Sequence, residues 1–194
     1  MGDKELLEKN QEQSRIIKEL DKIMAPKLQI VKLAVDVKTP EKKNPTDSGF
    51  DVYAYSIKKY YQNHGSNFER DFEGKLLEQF IRDGGIELSC NDRVLIGLGF
   101  KATVGPGYEI QVRPRSGLAL KQGLTVLNTP GTIDASYKEE CAVILINLSR
   151  KVQIVKLGER IAQFVISKVE LPEIEIVTEL PGEDRGGGFG HTGK

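Results

Sequence analysis

Hydrophobic and polar residues alternate along most of the chain, which is the pattern of β-strands with one buried face. The first such segment runs from Leu28 to Asp36. Further segments with the same character are Phe50–Ser56, Ile86–Ser89, Arg93–Val104, Tyr108–Val112, Leu124–Leu127, Cys141–Leu148, Lys151–Lys156, Arg160–Val169 and Ile174–Val177. Short strands separated by glycine and proline turns predict an all-β fold, a sandwich or barrel of the jelly-roll kind.

Two other segments have apolar residues at helical spacing. Residues 3 to about 24 carry a broken apolar stripe that ends at Ala25-Pro26, where a helix is expected to stop. Steps of four and three also resemble a coiled coil, but Asn10 and Gln13 interrupt the seam, so a surface helix is favoured. The second segment, Phe68 to Arg82, predicts a helix inserted into the β body.

These patterns divide the chain into three parts. Residues 1–26 form an N-terminal helical extension, and residues 27–180 form the β domain with a helical insertion at about 56–85. Residues 181–194 form a tail so rich in glycine that it is expected to become ordered only by closing over something.

Charge and composition narrow the classes of partner. The chain has 28 Lys+Arg and 28 Asp+Glu, so its formal net charge of +0 provides no general attraction for nucleic acid. The longest apolar stretch, near Cys141–Ile146, is too short to span a bilayer, and the polar N-terminus does not resemble a signal peptide. We therefore expect no nucleic-acid partner, no membrane partner and a cytoplasmic location.

The cysteines and histidines are few. Cys90 and Cys141 both lie in apolar, strand-like surroundings, which predicts two buried free thiols in a reducing compartment. His64 and His191 are too few to hold a metal by imidazoles. Any metal is therefore expected to be a hard cation held by carboxylates and by the substrate.

Three segments combine residues that suit anion or nucleotide chemistry. Asp47–Ala54 places a carboxylate after a glycine at the opening of a strand, and Pro114–Ala119 groups an arginine, a hydroxyl and exposed backbone N–H groups. Asn128–Tyr137 resembles a hairpin that presents a carboxylate three residues before an aromatic ring. Taken singly, they are also compatible with a strand-end carboxylate, a surface turn and an ordinary hairpin.

Together with Gly158–Gln163 and the tail Arg185–Gly193, and in this order, these segments resemble the five motifs of the trimeric deoxyuridine triphosphatases (dUTPases). The resemblance runs from about Leu28 to Lys194 and excludes the insertion. It implies a β jelly-roll homotrimer with active sites shared between chains. It also implies hydrolysis of dUTP to dUMP and pyrophosphate with Mg²⁺ bound to the triphosphate.

The resemblance assigns a role to each residue of the hairpin. Asp134 is the expected general base for the water that attacks the α-phosphorus. Tyr137 packs on the deoxyribose and leaves no space for a 2′-hydroxyl. The residues expected to bind the uracil edge are Asn128, Gly131, Thr132 and Ile133.

The other motifs are expected to bind the triphosphate. Asp51 helps to place the water shell of the metal and is a metal contact through water, and Arg160 is structural or supports a phosphate. The residues expected to form the phosphate site are Arg115, Ser116, Gly117 and Gln163.

The tail is expected to act as a lid over the bound nucleotide. Phe189 is expected to stack on uracil, while Arg185, His191 and Thr192 reach the β- and γ-phosphates. Two departures from the family pattern stand out: the spacing from Arg185 to Phe189 is one residue shorter, and Glu139 replaces a common glycine.

Two other functions are compatible with the sequence. A dCTP deaminase-like enzyme shares the fold, although the Arg-Ser-Gly turn and the hairpin follow the dUTPase pattern. The second alternative is a regulatory protein that binds a protein partner through the insertion, whose predicted helix is rich in charged residues.

Overall fold

The computed structural model describes residues 9–16, 25–62, 68–71 and 84–183. Residues 9–16 are helical, in agreement with the predicted N-terminal helix, and a second helix covers Ser116–Gln122. The thirteen strands of the described chain are β1 Gln29–Lys32, β2 Gly49–Tyr53, β3 Ser56–Gln62, β4 Phe68–Asp71, β5 Ile86–Leu88, β6 Arg93–Gly97, β7 Phe100–Thr103, β8 Tyr108–Arg113, β9 Leu124–Val126, β10 Gly131–Ile133, β11 Ala142–Asn147, β12 Gln153–Val155 and β13 Arg160–Lys168.

The strands form two larger and two smaller antiparallel sheets. The order in the larger sheets is β4-β3-β6-β11-β9 and β10-β8-β13-β2, and neither of these sheets closes on itself. The smaller sheets are the pairs β1-β7 and β12-β5. The predicted all-β architecture is confirmed, and the sheets formed by the described residues remain open and do not close into a barrel.

The alternating pattern of the strands produces one hydrophobic core. In β11, buried positions alternate with half-buried ones, as expected when successive side chains point to opposite faces of a sheet. Phe100 and Phe164 are fully buried, and their rings meet edge to face with centroids 6.1 Å apart. The core connects the larger sheets and therefore fixes the strands that carry the polar motifs.

The predicted strand Arg93–Val104 is divided in two by Gly99. This glycine has φ +74°, and a Cβ atom there would lie 2.6 Å from the side chains of Val37 and Tyr55. The prediction of a single continuous strand is therefore wrong at this point. The chain turns at Gly99, between β6 and β7, where it closely approaches Val37 and Tyr55.

The insertion begins as a β-hairpin and not as the predicted helix. Strand β4 pairs with β3 in a register that places Lys59 opposite Asp71 and Gln62 opposite Phe68. The backbone pairing extends the five-stranded sheet and overrides the helical spacing of the apolar residues at Phe68–Asp71. The rest of the predicted insertion helix lies outside the described residues.

Two other segments differ from their predicted structure. The expected turn at Pro114–Ala119 contains the start of the helix Ser116–Gln122, which ends at Gly123 in the left-handed conformation. Ile174–Val177 was predicted as a strand, but its backbone pairs with no strand of the described residues, and Ile174 and Ile176 are 94% and 95% exposed. Strand formation needs a neighbouring edge, which the sequence pattern does not supply.

The cysteines differ from each other. Cys141 is fully buried, whereas Cys90 is exposed, so the predicted burial of Cys90 is wrong. Burial raises the pKa of the Cys141 thiol to about 11, because desolvation disfavours the thiolate.

In the part of the chain that the structure describes, no helix is long and apolar enough to cross a membrane.

Candidate active site

Asp51 binds two arginines that are far from it in the sequence. Its Oδ1 accepts a hydrogen bond from Nε of Arg115 and its Oδ2 accepts one from Nη1 of Arg160, each at 2.9 Å. Arg115 also donates from Nη1 to the carbonyl oxygen of Arg160 at 3.0 Å. The structure thus brings together the carboxylate of the first motif, the arginine of the second and the arginine of the fourth.

The strands explain why these residues meet. Asp51 lies on β2 opposite Gln163 on β13, and Gln163 lies opposite Arg113 at the end of β8. Three neighbouring strands therefore deliver their polar ends to one region of the four-stranded sheet. The carboxylate is 19% exposed and the Arg115 side chain 24%, so the pair is partly shielded from solvent.

The cluster has more positive than negative charge. Two guanidinium groups share the single carboxylate of Asp51, and the bonds that Arg115 makes fix the plane of its guanidinium. A guanidinium held in one plane suits the binding of phosphate oxygens, which it can contact through paired N–H groups. The arrangement is therefore suited to an anionic group.

Ser116 and Gly117 follow Arg115 in the first turn of the short helix. Arg115 occupies the N-cap position with extended backbone geometry, and no side-chain hydrogen bond caps this helix end. Both residues are exposed, and a Cβ atom at Gly117 would meet no atom of the described residues within 4 Å. Space for a bound group therefore lies beside the first N–H groups of the helix.

Gln163 joins the first, second and fourth motifs. Its Nε2 donates to the carbonyl oxygen of Pro114 at 3.1 Å. Its Oε1 lies 2.2 Å from the position of a Cβ atom at Gly49, so a side chain at Gly49 would displace it. The sequence motif indicates Gly49 only as the glycine before the carboxylate of Asp51 and does not reveal this steric role.

The hairpin residues line a cavity of about 510 Å³. Strand β10 pairs with β8, with Gly131 opposite Val112 and Ile133 opposite Ile110. All four residues that are predicted to bind the base line this cavity, and Tyr137 lines it as well. The four are Asn128, Gly131, Thr132 and Ile133. Its volume lies within the range typical of small-molecule sites.

Tyr137 is held by the turn that follows Asp134. Its backbone N–H donates to the carbonyl oxygen of Asp134 at 3.1 Å, and its hydroxyl donates to the carbonyl oxygen of Glu140 at 3.0 Å. Desolvation is the main cause of the raised pKa of the Tyr137 phenol. The residue as a whole is 39% exposed. The ring therefore has a fixed hydroxyl and an accessible surface.

Asp134 is exposed and lines a neighbouring cavity of about 840 Å³. The backbone after it is fixed by hydrogen bonds to the carbonyl oxygen of Ala135, from Thr103 Oγ1 at 2.8 Å and from Lys138 Nζ at 2.7 Å. The structure thus places Asp134 beside the hairpin cavity and not among the residues that line it.

The structure brings the predicted residues together in two groups. One group contains Asp51, Arg115 and Gln163, with Ser116 and Gly117 adjoining; the other is the hairpin, and none of the first three residues lines its cavity. The predicted lid residues Arg185, Phe189, His191 and Thr192 lie outside the described residues.

Glu139 does not adopt the backbone geometry that a glycine would favour. Among the described non-glycine residues, only Asn91 has a positive φ. The Glu139 carboxylate lies 4.0 Å from Nζ of Lys101, and both side chains are exposed. Glu139 therefore fits the hairpin without backbone strain.

The described residues do not include a cluster of three or more His, Cys, Asp or Glu side chains that could hold a metal ion. Asp51 fits only an indirect metal contact, because both of its carboxylate oxygens already accept hydrogen bonds from arginines. A water molecule of a hydrated Mg²⁺ could bind the remaining lone pairs.

Comparison with known proteins identifies the family. The dUTPase family model matches residues 84–193. The deoxyuridine 5′-triphosphate nucleotidohydrolase of Hydrogenobaculum sp. is 46% identical over 138 residues, which cover 71% of this chain and 96% of the relative. The enzyme of the same name from Fusobacterium nucleatum is 52% identical over 110 residues, which cover 56% of this chain and 75% of the relative.

Two solved structures support the fold. The dUTPase from phage phi11 of S. aureus has a TM-score of 0.59 at 18% identity and covers 79% of this chain and 97% of its own. The dUTPase of Staphylococcus bacteriophage 80alpha with dUPNHPP has a TM-score of 0.61 at 21% identity, with coverages of 86% and 98%. The family match, the related sequences and the converging motifs agree: the chain belongs to the dUTPase family.

Proposed function

We propose that this chain hydrolyses dUTP to dUMP and pyrophosphate. The observation that carries the proposal is the cluster in which Asp51 orients Arg115 and Arg160, beside Gln163 and the first turn of the short helix. This arrangement concentrates positive charge and N–H donors where a triphosphate can bind. The names of the related proteins support the same substrate.

The base and sugar would bind in the hairpin cavity. Backbone groups of Gly131–Ile133 and the amide of Asn128 would hydrogen-bond the uracil edge, and a wrong base would leave these groups unpaired. Tyr137 would pack on the deoxyribose. A 2′-hydroxyl would collide with the ring, so UTP would be rejected.

Asp134 would act as the general base that activates the water attacking the α-phosphorus. Its exposure leaves the carboxylate accessible to water and substrate, and the fixed backbone at Ala135 limits its movement. General-base catalysis of this type typically contributes about 10²–10⁴-fold to a rate. Arg115, with the N–H groups of Ser116 and Gly117, would stabilise the charge on the phosphate oxygens.

Mg²⁺ would enter with the triphosphate. The ion would neutralise phosphate charge, and Asp51 would contact it only through water, because its oxygens already bind Arg115 and Arg160. The residues of this chain would then orient the hydrated ion and not enclose it.

A homotrimer with shared active sites would complete the arrangement. The separation of the charge cluster from the hairpin cavity supports this part of the proposal, because one chain contributes the two groups in different places. The glycine-rich tail with Arg185, Phe189, His191 and Thr192 would close over the nucleotide. The two free cysteines support a reducing, cytoplasmic compartment.

The decisive experiment uses the full chain with dUTP and Mg²⁺ in water enriched in oxygen-18. We expect pyrophosphate to be released and the label to enter dUMP, since water attacks the α-phosphorus. Asp134→Asn should lower kcat by about 10²–10⁴-fold, whereas Asp36→Asn, at an exposed carboxylate outside both groups, should not.

Three results would overturn the proposal. The first is the absence of pyrophosphate release from dUTP, and the second is an unchanged rate in Asp134→Asn. The third is release of ammonia from dCTP in place of dUTP hydrolysis, which would indicate the deaminase of the same fold.

A further inference from the structure

An ion pair adjoins Tyr137 in the hairpin cavity. Nζ of Lys58, on β3, lies 2.6 Å from Oε2 of Glu140, and both residues line the cavity together with Tyr137. The side chains are 37% and 17% exposed, so the carboxylate is the better shielded partner. Neither residue belongs to the motifs that identified the family.

The Glu140 carboxylate is held by the backbone as well as by Lys58. Its Oε1 accepts a hydrogen bond from the N–H of Gly99 at 2.9 Å. At Gly97, a Cβ atom would lie 2.5 Å from the same oxygen and 2.9 Å from Cε of Lys58. The missing side chain at Gly97 therefore leaves the space in which the side chains of Lys58 and Glu140 cross β6.

The backbone of Glu140 also accepts a hydrogen bond from the hydroxyl of Tyr137. The phenol donates to the Glu140 carbonyl oxygen at 3.0 Å, so the side chain and the backbone of one residue are fixed by different partners. Lys58 is close enough to act on the phenol electrostatically, since its charge opposes the rise in the Tyr137 pKa that desolvation causes. A displacement of Glu140 would therefore move the hydroxyl of Tyr137.

We propose that the Lys58–Glu140 ion pair is a positioning device for the Tyr137 ring and thereby sets the discrimination against a ribose 2′-hydroxyl. The inference rests on the proposed hydrolysis of dUTP. Because Lys58 lies on β3, the strand that pairs with β4, the insertion hairpin is connected directly to the wall of the substrate cavity. The extended hairpin thus has a role in specificity through its first strand.

The experiment compares kcat/KM for dUTP and UTP in matched variants of the full chain. Lys58→Met removes the charge, and Glu140→Gln keeps an oxygen for the N–H of Gly99 while removing the ion pair. Lys58→Arg retains the pair and serves as the rescue. Lys151→Met, at an exposed lysine before β12, controls for the loss of one positive charge.

We expect Lys58→Met and Glu140→Gln to lower the preference for dUTP over UTP by roughly tenfold, because the ring is less precisely placed. Most of the change should appear in KM, since the pair does not contact the reacting atoms. Lys58→Arg should retain the preference within about twofold, and Lys151→Met should match the wild type.

The outcomes separate the two proposals. A wild-type protein that does not hydrolyse dUTP would overturn both. Normal wild-type hydrolysis with an unchanged dUTP-to-UTP preference in both variants would overturn the positioning role alone. Equal losses toward both nucleotides, accompanied by a lower melting temperature, would also overturn it, because a purely structural pair has that effect.

Discussion

A Cβ atom at Gly49 would lie 2.2 Å from Oε1 of Gln163, so the glutamine amide occupies the space that the missing side chain leaves. This contact crosses from β2 to β13 and keeps Nε2 of Gln163 on the carbonyl oxygen of Pro114. The residue just before Arg115 is therefore anchored through a glycine that lies far away in the sequence.

Gly49→Ala should therefore displace Gln163 and disturb the site around Arg115. We expect kcat/KM for dUTP to fall by roughly tenfold or more, since small misplacements of binding groups are costly for catalysis. Steady-state kinetics with Mg²⁺ and dUTP would measure the effect. Gly105→Ala is the matched control, because a Cβ atom there meets no atom within 4 Å in the part of the chain that the structure describes; equal kinetics in both variants would contradict the prediction.

Asp51→Asn should leave two neighbouring guanidinium groups without their shared counter-ion. Loss of these charge-assisted hydrogen bonds should lower the free energy of unfolding by about 1–2 kcal/mol, at the modest end because Arg160 is 45% exposed. Urea denaturation would measure this change. Activity toward dUTP should fall more than stability, and a fully active Asp51→Asn protein would argue against the cluster as the phosphate site.

Cys141 should make stability depend on alkaline pH. Its pKa rises from 9.0 to about 11 on folding, so the unfolded chain loses this proton first as pH increases. The stabilising contribution is complete below pH 9 and disappears as pH rises through about 11. Denaturation curves at pH 8 to 11 should show a smaller loss of unfolding free energy in Cys141→Ala than in the wild type, and equal losses in the two proteins would contradict the prediction.

Gly131→Ala should narrow the hairpin cavity. The new methyl group would lie 3.1 Å from Nδ2 of Asn128 and 3.3 Å from Cβ of Val112, so one of these neighbours would have to move. We expect the dissociation constant for dUMP, measured by calorimetry, to rise by about tenfold, because Asn128 is a proposed uracil contact. Unchanged dUMP binding would show that the base does not enter this cavity.

The sequence predicted most of the strands because their burial follows the two-residue period that a sheet imposes. It failed where a neighbouring segment decides the local structure. Phe68–Asp71 has helical spacing but pairs with β3, and Ile174–Val177 has strand spacing but is unpaired in the described chain. Pairing partners are properties of the fold, and a local pattern does not contain them.

The candidate site shows the same division. Asp51, Arg115 and Gln163 could be selected by their resemblance to family motifs, and the structure brings them together. The contact between Lys58 and Glu140 could not be predicted in this way, because it depends on the register between β3 and β6 and on the space at Gly97. No sequence spacing between positions 58 and 140 indicates such a contact.

The hydrogen bond between Asp51 and Arg160 joins residues separated by 109 positions. Closing so long a loop has an entropic cost that local structure cannot offset, so the bond forms only with the pairing of β2 and β13. We therefore expect the charge cluster to assemble late in folding. A chain in which most strands have formed but β2 and β13 are still apart would lack the cluster. Recovery of nucleotide binding during refolding would therefore report the completion of folding.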